Sequence, residues 1–152
     1  MLLTDYFSSA EYKNLTDSNK AKIRVGDNVQ IIGEKCFFNC SKLAEIELPT
    51  YLNKICNEAF SGCTSLTKIT IPKDVSAIGE GAFKYCTSIQ DLNNVSEISK
   101  YCFQGCTSLT KITILDRVTE ICEFAFRGCL SLSKITIPDN VTKIGPYAFS
   151  FC

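Results

Sequence analysis

The chain has 152 residues, a length that suits one domain, and 45% of them are hydrophobic, enough for a core rather than a disordered chain. Sixteen basic and sixteen acidic side chains cancel, and residues 1–77 alone hold nine of each. This balance argues against nucleic acid or an anionic membrane surface as the main partner. Histidine is absent, which removes the commonest general base and the commonest neutral metal ligand, whereas ten cysteines demand an explanation.

In chain order, residues 1–19 come first. Leu2, Leu3, Tyr6, Phe7 and Ala10 fall on one helical face, and Ser8-x-x-Glu11 has capping-box spacing. The expectation is an N-terminal helical cap over the open end of a repeat array. The same stretch lacks a basic n-region and a long apolar run, so it reads as a poor secretory signal. No segment approaches the roughly 20 apolar residues of a membrane helix, so no membrane insertion is expected.

From residue 20 onward the chain repeats itself. Ile55–Ala77 reads ICNEAFSGCTSLTKITIPKDVSA, and Ile121–Lys143 reads ICEFAFRGCLSLSKITIPDNVTK. The frame I-G/C-x-x-A-F-x-x-C-x-S-L-x-x-I-x-I-P-x-x-V-x-x defines a 23-residue unit. It fits 32–54, 55–77, 98–120 and 121–143, with a 20-residue unit at 78–97 and a partial one at 144–152. A longer period of 66 residues relates Cys36 to Cys102 and Cys56 to Cys122, as duplication of a three-unit block would. Within a unit, Leu66-x-x-Ile69-x-Ile71 alternates as a short strand does, and Pro72 ends it because it has no N–H to donate. Ala82-Phe83-x-x-Cys86 suits one inward-facing helical or 3₁₀ turn. A unit this short cannot bury its own apolar face, so units must stack. The fold class expected is an α/β repeat solenoid, one short parallel strand per unit on one side and turns on the other.

The cysteines fall into this frame. Cys40, Cys63, Cys86, Cys106, Cys129 and Cys152 share one position; Cys36 and Cys102 replace the alanine; Cys56 and Cys122 replace the glycine. Fixed positions favour small buried hydrophobes. Isolated disulfides remain open, since equivalent residues of adjacent units lie about 5 Å apart. A metal site at Cys36/Cys40 or Cys102/Cys106 lacks support from His or a CxxC pair. A nucleophilic cysteine lacks an activating base. No enzyme activity, cofactor or metal is therefore expected.

The repeat resembles the BspA-like leucine-rich repeats over roughly residues 20–152. That resemblance implies a right-handed leucine-rich-repeat solenoid with its parallel sheet on a concave face. It also implies a surface or secreted protein that binds host or matrix proteins. The runner-up is a cytoplasmic protein–protein interaction scaffold, which fits the absent signal and the many thiols. Side chains alternating with the buried strand residues would face a protein ligand. They are Lys22, Arg24, Glu45, Glu47, Lys68, Thr70, Asp91, Asn93, Lys111, Thr113, Lys134 and Thr136. The row contains no aromatic residue, so an obvious anchor is missing. Phe149-Ser-Phe151-Cys152 stops before the next strand, and an apolar edge there would favour a homodimer through the C-terminal end. Four N-x-S/T sequons, at Asn14, Asn39, Asn94 and Asn140, do not decide the compartment.

Overall fold

The computed structural model describes residues 21–152. The helical cap expected over 1–19 lies outside them.

Ten short parallel strands build two rows. The first row contains β1 (Ala21–Arg24), β3 (Leu43–Glu47), β5 (Lys68–Ile69), β7 (Asp91–Val95) and β8 (Lys111–Ile114). The second contains β2 (Ile31–Ile32), β4 (Lys54–Ile55), β6 (Ala77–Ile78), β9 (Glu120–Ile121) and β10 (Lys143–Ile144). In the first row Ile23 stands beside Ile46 and Ile46 beside Ile69; in the second, Ile32 stands beside Ile55 and Ile55 beside Ile78. The expectation of one strand per unit is corrected here. The Val-x-x-Ile step crosses the second side of the coil in extended form, and its backbone pairs with the neighbouring coil just as the first strand does.

The third side is neither strand nor helix, and no α-helix occurs among the described residues. The helical component of the expected α/β class is thus corrected for residues 21–152. The reason lies in the hydrogen bonds. Ala59, Ser61 and Cys63 donate their N–H to carbonyls three residues back, at Cys56, Glu58 and Phe60, at 3.1–3.3 Å. The intervening Glu58, Phe60 and Gly62 donate instead to Glu80, Ala82 and Lys84 of the next coil, at 2.8 Å each. Helix propagation needs every N–H to turn back on its own segment. Here every second one is given to a neighbour, so the chain advances as linked turns. Left-handed backbone makes this alternation geometrically feasible. Glu58 (φ 52°) and Gly62 (φ 77°) are the two such residues of their coil, and Lys35, Gly81, Tyr101, Phe124 and Tyr147 repeat the first of them.

The core runs along the axis as ladders. Phe37, Phe60, Phe83, Phe103, Phe126 and Phe149 stack with ring centroids 5.2–5.8 Å apart. Beside them the cysteine ladder has a polar task as well as an apolar one. Sγ of Cys63, Cys86, Cys106, Cys129 and Cys152 each donates to the phenylalanine carbonyl of the preceding coil, at 3.0–3.2 Å. A side chain at this position must be small, apolar and a weak donor, and cysteine meets all three conditions. Seven of the ten cysteines are buried; Cys56 and Cys122 are half-buried, Cys152 is exposed, and all ten are free thiols. The core reading of the ladder is thereby supported.

Both strand rows break at the 20-residue unit. The first row stops at β5 and resumes at β7; the second stops at β6 and resumes at Ile98, which bridges to Ile121. Full units place nine residues from Ile69 to Ile78, whereas Leu92 reaches Ile98 in six. A bulge with Asn94 in the left-handed region (φ 60°) absorbs part of the mismatch.

Candidate interaction surfaces

The residues expected to face a ligand stand in two parallel lines on the first row. Lys22 pairs in register with Glu45, Glu45 with Lys68, and Asp91 with Lys111; Arg24 pairs with Glu47. All are exposed except Glu45, which is half-buried. Lys134 and Thr136 occupy the matching positions of the following coil, outside any strand. Two shallow grooves gather eight of them. One, about 240 Å³, is lined by Glu45, Glu47, Lys68 and Thr70. The other, about 490 Å³, is lined by Lys111, Thr113, Lys134 and Thr136 together with Ile112 and Pro138. Asn93 accepts a hydrogen bond from Thr113 Oγ1 at 3.2 Å, so it serves the sheet surface itself.

Charge is distributed unevenly along this face. At the N-terminal side Lys22 Nζ lies 3.3 Å from Glu45 and 3.1 Å from Glu47, and Arg24 lies 3.1 Å from Asp27. Hydrogen bonds that the Lys22 ammonium donates to Glu47 and then to Glu45 raise its pKa above the ordinary lysine value. Lys68, Lys111 and Lys134 form no ion pair among the described residues. The C-terminal part of the face therefore carries lysines free of close ion pairs, with Asp91 in register beside Lys111 and Asp116 in the same groove.

A second surface escaped the sequence analysis. On the turn side Tyr101, Phe124 and Tyr147 stack at 5.3 Å, the first two half-buried and Tyr147 exposed. Lys84 Nζ lies 5.1 Å above both Tyr85 and Tyr101, and the Arg127 guanidinium lies 5.6 Å from both Phe124 and Phe151. Tyr85 packs its ring over Gly105, where φ is 72° and a side chain would collide with that ring. The clue was the recurrence of aromatic residues at the fourth and eighth repeat positions, the two left-handed ones. Two of the sequons have structural uses. Asn94 Nδ2 donates to Ile71 O at 2.8 Å, and Asn140 Nδ2 donates to Asp116 O at 2.6 Å. Asn14 lies outside the described residues.

Stacked coils, two parallel strand rows and internal phenylalanine and cysteine ladders define a parallel β-solenoid of repeats. The chain belongs to the BspA-type leucine-rich-repeat family, whose model matches six copies over residues 7–93 and 89–152. No curated protein matches it. A leucine-rich cell surface protein from Faecalibacterium prausnitzii superposes with a TM-score of 0.81 at 36% identity, covering 86% of this chain and 36% of that one. A leucine-rich-repeat protein from Bacteroides ovatus gives 0.56 at 26% identity, covering 86% and 46%. One from Eubacterium ventriosum shares the fold, with a TM-score of 0.68 at 21% identity over 91% of this chain and 46% of that chain. The chain thus spans between about a third and a half of these proteins.

Proposed function

We propose that this chain is a non-catalytic protein-binding module working at the cell surface. Its first strand row contacts an acidic segment of a host or matrix protein. The observation that carries the reading is the groove lined by Lys111, Thr113, Lys134 and Thr136, whose two lysines form no ion pair among the described residues. Extended sheet faces of solenoids are suited to such contacts, and unpaired charge at a rim steers an oppositely charged partner. The description of the Faecalibacterium relative as a cell surface protein supports the location. Immobilised matrix proteins are the probe. The double variant Lys111→Glu, Lys134→Glu is expected to bind about tenfold more weakly than wild type, mainly through slower association, with a smaller salt dependence. Unchanged binding by that variant would remove this face from the reading.

An intracellular scaffold is the second reading, favoured by the thiols that donate hydrogen bonds to carbonyls and so act in reduced form. Labelling of intact cells with a membrane-impermeant reagent separates the two. Homodimerisation through the C-terminal end is a further proposal, motivated by exposed Ile137, Ile144, Tyr147 and Phe151. Light scattering should then show mass rising with concentration; a monomer throughout would reject it.

A further inference from the structure

The two grooves on the first strand row are copies of one another. Every residue that lines the first has a counterpart 66 residues later in the lining of the second. Ile46, Leu48 and Pro72 give the first groove its apolar part, with Lys68 and Thr70 as exposed polar residues. Ile112, Ile114 and Pro138 do the same in the second, with Lys134 and Thr136. The other strand of each groove has changed in charge: Glu45 and Glu47 correspond to Lys111 and Thr113. The short unit between the copies does not repeat the groove. It lacks the Ile-Pro step, Asn94 Nδ2 donates to Ile71 O at 2.8 Å, and Thr113 Oγ1 donates to Asn93 at 3.2 Å. The polar groups of this strip are thus spent on the sheet itself.

Three coils separate the copies. At about 4.8 Å from one parallel strand to the next, that is about 14 Å. An extended polypeptide advances about 3.3 Å per residue and turns alternate side chains the same way, so side chains four residues apart project from one face about 13 Å apart. An extended segment running along the solenoid axis therefore reaches both grooves at once. The linings indicate which side chains it brings. In the first groove Glu45 and Glu47 face Lys68 as lining partner and Lys22 at 3.3 and 3.1 Å, so charge is balanced and the apolar part suits an aliphatic side chain. The second groove sets Lys111 and Lys134, which form no ion pair among the described residues, against Asp116 alone. An aliphatic side chain flanked by acidic residues complements it.

We propose that this face holds an extended segment of a partner protein at both grooves together, through two aliphatic side chains four residues apart, the one in the second groove flanked by acidic residues. The proposal rests on the reading of the lysine groove as a binding site and adds the first groove to it. Once one groove is occupied, the second contact is intramolecular, so each strengthens the other. Fluorescence polarisation with labelled ten-residue peptides tests this. Two peptides carry leucines four residues apart, with a pair of aspartates before the first leucine or after the second. Control peptides carry the leucines three residues apart, on opposite faces of an extended chain. Wild type should bind one of the first two at least tenfold more tightly than the controls, one peptide per chain. Thr70→Trp and Thr136→Trp, each filling one groove from an exposed position, should weaken that binding about tenfold and leave the melting temperature unchanged. Loss of binding in Lys111→Glu, Lys134→Glu but not in Thr70→Trp overturns the two-groove contact and leaves the lysine groove standing; loss in neither overturns both. No binding by either peptide, equal binding of the controls, or two peptides per chain also overturns the proposal. A dimer in light scattering that Thr70→Trp dissociates would assign the grooves to a second copy of the chain and overturn it as well.

Discussion

Phe83→Ala is expected to lower the unfolding free energy by about 3–5 kcal/mol, the cost of removing a fully buried phenylalanine and leaving a cavity. Phe83 has no exposed surface, and its ring is stacked 5.3 Å from Phe60 and 5.8 Å from Phe103. The backbone around it is pinned on both sides. Phe83 N–H donates to Cys102 O at 2.9 Å, and its carbonyl receives Cys106 Sγ at 3.1 Å. The site therefore cannot collapse, which places the expected loss in the upper part of that range. Against a total of about 5–15 kcal/mol for a domain, this is a large share. Phe149 provides the comparison: it is half-buried and stacks on Phe126 at 5.2 Å. Phe149→Ala should cost about half as much or less. Urea titration followed by circular dichroism measures both. Coils contact mainly their neighbours, so Phe83→Ala is also expected to broaden the transition as the two halves uncouple. A loss below about 1 kcal/mol would mean the ladder is not the axis of stability.

The ladders were legible in the sequence because each occupies one repeat position and its side chains meet their own equivalents. The same regularity disclosed the lines of Lys22, Glu45 and Lys68, which the backbone register brings together. What stayed hidden depends on contacts between coils that no single unit displays. The second strand row consists of two-residue segments such as Lys54–Ile55, too short to show alternation. The left-handed residues at Lys35, Glu58 and Tyr101 are not glycines, and only the hydrogen bonds given to the next coil impose that backbone on them. From the Phe-x-x-Cys spacing alone the turns read as helical or 3₁₀. The short unit was visible as a missing Ile-Pro step, but the grooves on either side of it form only between coils. The aromatic edge of Tyr101, Phe124 and Tyr147 forms only when successive coils bring one repeat position into register, and that position holds Lys35, Glu58 and Gly81 in the earlier coils.

The cysteine ladder should make the protein unfold in mild alkali, at about pH 10. Burial pushes the Cys40 thiol up to about 11 and the Cys102 and Cys129 thiols up to about 12 from an ordinary value of 9.0. Cys63, Cys86 and Cys106 move in the same direction, chiefly through burial and then through the neighbouring thiols. A raised pKa means that the fold disfavours the thiolate. Below about pH 8.5 both states hold their protons, and stability is intact. Above it the unfolded chain releases protons that the folded one retains, so stability falls by about 1.4 kcal/mol per pH unit for each such thiol. Three thiols over about one unit above 9.0 remove about 4 kcal/mol by pH 10, a large share of the roughly 5–15 kcal/mol of a domain. Lys22, Lys100 and Lys143, whose pKa values are raised first by hydrogen bonds they donate to glutamates, act in the same direction at still higher pH. Cys102 stands where other coils carry Ala59, Ala82 and Ala125, so Cys102→Ala should pack well and move the alkaline midpoint upward. A thiol reagent at pH 8 should meanwhile modify exposed Cys152 first and leave the buried ladder silent until denaturant is added. Stability that stayed flat from pH 8 to about 11, or ten thiols reacting at one rate in the native protein, would show that the ladder is open to water.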